Sequence, residues 1–364
     1  MAKRQLGWGA ATLAHAFIQG RSALIALRLM IGALEAGFYP TAVAYLSYFY
    51  CRYDMAVRVG LFFGQYAIAG AFSGSIAYGV FHLRGSRLHN WQYLFIIEGS
   101  LTMVIATIAW FWLPQGPGSA WFLNAEERKF AVERITKDSA KYVAYEGGSG
   151  EQRLTRRDVV ETAKDWKLWY VLVFNICASV PSQAFSVFLP LVVEGLGYSS
   201  IEANLVPSKE RGYHIIGGIC IALIGLITTV TVHSSGAKYA GLCILLLGSY
   251  VSPPLTVVWL SGNTPEPGKR FLVLGVNGFG NLAGVIGSQL YKRRYAPTYR
   301  LPSYVTLGFV AVALVGYVAY RFTLKAVNRK KLAILAGKST QEVEGERVDP
   351  TRYADKKWTF IYGL

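Results

Sequence analysis

Eight stretches of the chain are long, apolar and nearly free of charge: residues 23–50, 59–83, 93–113, 168–193, 213–232, 239–260, 271–291 and 304–320. A hydrocarbon core about 30 Å thick takes roughly 20 apolar residues to cross as helix, at about 1.5 Å of rise per residue. Each stretch meets or approaches that length, so the pattern predicts eight membrane-spanning helices. A ninth, residues 5–20, is short and flecked with polar side chains, and is read as one more helix. A soluble protein buries one or two such helices, but not eight in 364 residues. The predicted class is therefore all-α, a polytopic membrane protein.

The apolar runs divide the chain into four spans, a polar loop over 114–167, five spans, and a polar tail from 321. In the loop, Asn124 followed by Glu127 predicts an N-cap with its reciprocal glutamate, starting a helix AEERKFAVERI along the membrane surface. GGSG at 147–150 is a flexible linker composition. The tail, with NRKK at 328–331, is expected to be cytosolic and mostly unstructured.

Composition sharpens this picture in three places. The net charge of +16 could indicate nucleic acid, but the Lys and Arg lie between or after the apolar runs, where the cytosolic-loop bias puts them, so no nucleic-acid partner is expected. Cys51, Cys177, Cys220 and Cys243 form no CxxC pair and have no His at ligand spacing, which predicts neither a disulfide framework nor a metal site. The basic start before an apolar stretch resembles a signal peptide, yet no small-residue cleavage site stands after it, so it is read as a mature helix.

The same charge rule exposes an inconsistency. Five spans between the basic central loop and the equally basic tail put them on opposite faces of the membrane. One crossing is expected to be missing between Ser208 and Lys209, where LGYSSIEANLVPS gives way abruptly to KERGYH.

Ionisable residues inside a span cost roughly 2.5–3.5 kcal/mol each on insertion scales, so they persist where a cavity or partner receives them. Arg28 and Glu35 lie seven residues apart in one span. That is close to two turns, placing both on one face about 10 Å apart. An organic anion held by Arg28 while Glu35 exchanges a proton would couple uptake to the proton gradient; the alternative is a buried interhelical salt bridge. Asn277 and Asn281, four apart on one face, could donate hydrogen bonds to a ligand or glue helices together. His15 and Glu98 are weaker candidates of the same kind. Gly60 with Gly64, Gly70 with Gly74, and Gly280 with Gly284 read as close-packing pairs, and Pro181, Pro190, Pro253 and Pro254 as breaks or kinks. Gly278, Gly280 and Ala283 match a dinucleotide fingerprint letter for letter, but inside an uncharged span with no preceding strand the match is rejected. Catalysis needs groups converging from several elements, and five scattered His supply no such constellation, so no enzyme and no cofactor are expected.

RLMIGALEAGFYPT at 28–41, with its R-x3-G-x2-E-A-G-x2-P pattern, followed by Arg58 and a glycine-rich span, resembles the fourth and fifth helices of major facilitator superfamily carriers of the anion:cation symporter type, among them the fungal allantoate permease-like transporters. WQYLFIIEGSLT at 91–102 resembles their sixth helix and LPLVVEGLGYSS at 189–200 the end of their seventh. GNLAGVIGSQLY with APTY at 296–299 resembles their eleventh helix and the segment after it. The resemblance implies a twelve-helix fold of which about nine helices are present: a partial N-terminal half over 1–113 (helices 3–6), the cytosolic loop 114–167, a partial C-terminal half over 168–320 (helices 7 and 9–12), and the cytosolic tail 321–364, with helices 1, 2 and 8 absent. It implies proton-coupled symport of a small organic anion such as allantoate, nicotinate or pantothenate, with Arg28 and Glu35 on the substrate and coupling pathway. The location expected is the plasma membrane or an internal one, with lipids as the remaining partner. The other reading is a truncated carrier that does not transport and serves as a membrane sensor or partner.

Overall fold

In hydrocarbon every backbone N–H and C=O must be satisfied within its own segment, so apolar runs of this length fold as helices. The computed structural model describes residues 2–51, 54–82, 88–140, 155–186, 210–232, 234–291, 295, 299–349 and 353–364, and among these it contains helices and no strands. Nothing is described for the stretch holding Pro190, Ser208 and Lys209, which includes all of LPLVVEGLGYSS, nor for GGSG at 147–150, APTY before Tyr299, or the surroundings of Gly70 and Gly74; expectations placed there lie outside the described residues.

The chain forms two compact units. The first comprises Met1–Tyr50 and Phe62–Ile135. It holds α1 (Ala2–His15), α2 (Arg21–Glu35), α3 (Phe38–Phe49), most of α4 (Met55–Phe81), α5 (Asn90–Trp112) and the start of α6 (Ala125–Ala140). The span predicted over 23–50 is interrupted: α2 ends at Glu35 and α3 begins at Phe38. α1 packs along α5 so closely that a methyl group on Gly99 would lie 2.7 Å from the Leu13 backbone nitrogen. The reciprocal cap of α6 is present, with the Asn124 N–H donating to the Glu127 carboxylate at 2.9 Å.

The second unit comprises Cys51–Leu61 and Thr136–Leu364. Its helices are α7 (Arg156–Ala163), α8 (Trp166–Ser186), α9 (Arg211–Thr231), α10 (Ser235–Ser249), α11 (Ser252–Gly262), α12 (Pro267–Asn277), α13 (Leu282–Leu290), the long α14 (Arg300–Ala336) and α15 (Thr340–Val348). Pro253 and Pro254 fall in the first turn of α11, where a missing N–H costs nothing, and so mark the break from α10. A 3₁₀ turn over Gly278–Asn281 divides α12 from α13. Leu168, Ile215, Leu226, Leu245, Trp259 and Tyr317 are among the fully buried centre of this unit.

Lipid tails are as apolar as Leu, so helices in a membrane associate through close contact rather than through removal of apolar surface from water. The tightest contact here is α9 against α10. Gly218 and Gly225 on α9, seven residues apart, face Gly241 and Gly248 on α10, also seven apart. A methyl on Gly218 would lie 2.7 Å from Val251 Cβ, and one on Gly241 2.7 Å from Thr229 Oγ1. At Gly225 and Gly248 it would strike the backbone nitrogens of Leu245 and Ala222. Of the predicted pairs, Gly280 and Gly284 do lie against α8, whereas Gly64 faces open space. Replacing Gly225 with Leu forces α9 and α10 apart and should cost roughly 1–3 kcal/mol or more, read as a lowered unfolding temperature of the detergent-solubilised protein; an unchanged temperature would show that the two backbones are not in contact.

Candidate functional site

In the first unit, α2 carries both charged candidates and has no buried residue. Arg28 and Glu35 are exposed at the surface of this unit. Among the described residues no ion pair joins them to each other or to a neighbouring helix. The Arg28 guanidinium instead lies over the Phe95 ring of α5, 5.7 Å from its centre. Glu35 is the last residue of α2, and the Ala36–Gly37 break follows it directly. Arg4 of α1 reaches this break, since a methyl on Gly37 would lie 2.6 Å from its Nη1. In the sequence Arg4 is only part of a basic start; its approach to the Glu35 end of α2 comes from folding.

His15 is fully buried against Phe95, with ring centres 4.8 Å apart, and neither ring nitrogen has a hydrogen-bond partner. Glu98, one turn along α5 from Phe95, accepts a hydrogen bond from Ser73 Oγ of α4 at 2.8 Å. Its bridging of two helices accords with the simpler of the two roles predicted for it.

In the second unit, Asn277 and Asn281 flank the 3₁₀ turn and both meet α8. Asn175 Nδ2 donates to Asn277 Oδ1 at 3.3 Å, and Gln183 Nε2 to Asn281 Oδ1 at 3.4 Å. Gly280 leaves the room Asn175 needs, as a methyl there would sit 2.5 Å from Nδ2. Asn277 is buried and Asn281 exposed, so only the latter presents its amide at the surface of the unit. Asn175 and Gln183, eight residues apart on α8, are polar groups in an apolar run; that spacing is the sequence signal that points to them.

A third constellation lies where the sequence predicts an unstructured tail, and it corrects that expectation. The chain continues past residue 320 as helix to Ala336, and its last residues fold back as a strap across the helix ends of the second unit. Asn263 and the Gly363 backbone exchange two hydrogen bonds of 2.8 and 3.0 Å, and Asn328 does the same with Tyr362 at 2.8 and 2.9 Å. Trp259 Nε1 donates to the Gly363 carbonyl at 2.7 Å, and the Arg211 N–H to that of Leu364 at 2.6 Å. These groups satisfy an irregular backbone that has no helix of its own to do so.

At the centre of the strap, Asp355 Oδ2 accepts from Lys167 Nζ at 2.6 Å and Lys269 Nζ at 2.9 Å. Asp165 closes the cluster, 2.8 Å from Lys269 and 3.6 Å from Lys167. All four are buried. Burial pushes the Asp355 carboxyl up, but the two ammonium groups outweigh it and hold it below the usual carboxylate range. Nearby, the Tyr353 hydroxyl donates to Asp158 Oδ1 at 2.9 Å, and Gly268 makes the space for that carboxylate. The Ala354 N–H donates to Glu266 Oε1 at 2.9 Å, while Glu266 Oε2 has no partner. Burial pushes Glu266 from 4.5 up to about 7.

The folded protein therefore keeps a proton on Glu266 that the unfolded chain has already released, and stability falls as pH rises from 4.5 to about 7. Glu266→Gln keeps the acceptor for Ala354 and removes the titration. Thermal unfolding at about pH 5 and about pH 8 should show the variant gaining stability over the natural chain on the alkaline side; an identical pH dependence would count against a buried, protonated Glu266.

Against this geometry, a family model described as Major Facilitator Superfamily matches residues 5–320. The chain is 29% identical over 379 residues to the major facilitator-type transporter hxnP of Emericella nidulans, covering 95% of this chain and 75% of that protein. It is 30% identical over 350 residues to the MFS-type transporter efuF of Hormonema carpetanum, covering 90% and 70% respectively. To the high-affinity nicotinic acid transporter of Saccharomyces cerevisiae it is 29% identical over 349 residues, covering 90% and 64%. A solved bacterial homologue of the human lysosomal transporter Spinster aligns over 89% of this chain and 83% of that chain, with a TM-score of 0.46 and 14% identity. The family model and the relatives agree with the six helical segments among the described residues that are long and apolar enough to cross a membrane, and the chain belongs to the Major Facilitator Superfamily as an all-helical integral membrane transporter.

Proposed function

We propose that the protein is a proton-coupled carrier of a small organic anion. The observation that carries this reading is the placement of Arg28 and Glu35, two turns apart on α2, exposed and not paired with one another, inside an apolar segment of 29 residues. Two charges at membrane depth cost roughly 2.5–3.5 kcal/mol each unless something receives them. A carboxylate docking on Arg28 and a proton on Glu35 would neutralise both together. The step is the same in either direction: anion and proton arrive as a pair, the site becomes electrically quiet, and the loaded state is the one best suited to rearrangement across the membrane.

Asn277 and Asn281 are the proposed hydrogen-bond donors to substrate in the second half of the carrier, Asn281 by virtue of its exposure and Asn277 by reorienting its bond to Asn175. The division into a partial N-terminal half over 1–113, a central loop, a partial C-terminal half over 168–320 and a cytosolic tail belongs to the same proposal, as does location in the plasma membrane. The relative in Saccharomyces cerevisiae is named for nicotinic acid, and nicotinate, an aromatic monocarboxylate, is the chemical class the Arg28 site suits.

The test uses proteoliposomes containing the full chain, radiolabelled nicotinate and an imposed pH gradient. Arg28→Lys should lower uptake about tenfold or more, the loss expected for a charge-assisted hydrogen bond worth about 1.5–3 kcal/mol. Glu35→Gln should abolish acceleration by the gradient while leaving nicotinate exchange intact. Uptake by both variants equal to the natural chain would sink the assignment. Saturable nicotinate binding without any uptake would favour the non-transporting sensor instead.

A further inference from the structure

We propose that Lys167 and Lys269 form an anion site whose resident ligand is the chain's own Asp355, and that a small free carboxylate can take Asp355's place and release the strap. Neither lysine is among the residues proposed to bind substrate.

The geometry is that of a ligand site with a tethered occupant. Asp355 reaches the lysines from a short 3₁₀ turn, Ala354–Lys356, directly after Tyr353 on the strap. Only Oδ2 is used: it takes both ammonium groups, at 2.6 and 2.9 Å, while Oδ1 is buried and has no partner. Leaving the second buried oxygen unpaired costs stability. The lysines touch the strap through Tyr362 and Tyr353 as well, Lys167 donating to the Tyr362 hydroxyl at 3.2 Å, but Asp165 holds both from outside it. Lys269 is anchored by Asp165 at 2.8 Å, and Lys167 stands at the first turn of α8 beside the same carboxylate.

Charge makes the vacated position attractive to an anion. With Asp355 gone, Asp165 alone would face Lys167 and Lys269. A third ammonium, Lys331, would lose the Asp355 carbonyl that it now holds at 2.8 Å. A small cavity lined by Asp165, Lys167, Asn263, Thr264 and Tyr320 adjoins the cluster. A compact carboxylate such as acetate presents the same two oxygens on the same carbon framework as the Asp side chain, and would be held by the same charge-assisted bonds. Because the strap also ties α9, α11 and α14 through Arg211, Trp259, Asn263 and Asn328, its release would loosen the arrangement of those helix ends.

Chemical rescue tests the site. Asp355→Gly removes the occupant and leaves room, whereas Asp355→Asn fills the room with an uncharged amide. Both should lower the unfolding temperature of the solubilised full chain. Acetate, compared with chloride at equal ionic strength, should restore at least half of the loss in the Gly variant, saturably, and little in the Asn variant. If the Gly variant does not purify folded, its yield of monodisperse protein with acetate against chloride gives the same readout. In the natural chain, acetate should increase tryptic cleavage after Lys356 and Lys357, at concentrations on the order of hundreds of millimolar because the tethered Asp competes at high effective concentration. Rescue equal in acetate and chloride, rescue equal in both variants, no rescue, or a strap whose cleavage ignores acetate would each overturn the proposal.

Discussion

Within a bilayer no water is available to a broken backbone, and the described spans obey that constraint wherever they are regular. The places where they are irregular are therefore informative. The Ala36–Gly37 break follows Glu35 and is approached by the guanidinium of Arg4; the Gly278–Asn281 turn follows Asn277 and ends in Asn281, the two Asn residues that bond α8. At the third, between α10 and α11, Thr256 Oγ1 and the Tyr317 hydroxyl lie 2.8 Å apart within the next helix turns. Each interruption of the helix coincides with polar side chains close by.

Regular helices in lipid gain little from burying Leu against Leu, so shape decides which faces meet. The Gly218, Gly225, Gly241 and Gly248 set brings α9 and α10 to backbone contact, and Gly99 does so for α1 and α5. Outside the apolar layer the logic reverses. There, irregular backbone is held by side chains from several helices, and the buried Lys167, Lys269, Asp165 and Asp355 cluster is stable because each charge has an opposite one within hydrogen-bond reach. Such a cluster is a poor source of stability compared with apolar packing, and a good source of specificity, since any partner removed leaves a buried charge uncompensated.

The apolar period of the chain determined that it is helical and that it crosses a membrane, because length and freedom from charge are properties of each segment alone. The cap at Asn124 and Glu127 and the break at Pro253 and Pro254 were legible for the same reason: their physics spans a few residues. So was the choice of Arg28, Glu35, Asn277 and Asn281 as residues to ask about, since a polar group in an apolar run is conspicuous wherever it points. Their surroundings were not legible. That Arg28 lies over Phe95, that Arg4 approaches the end of α2, and that Asn277 is buried on Asn175 while Asn281 is exposed depend on which helices become neighbours. The strap is the clearest case. Lys167, Lys269 and Asp355 are separated by up to 188 positions, and a charge in a polar loop or tail looks solvated until tertiary structure buries it beside its opposite.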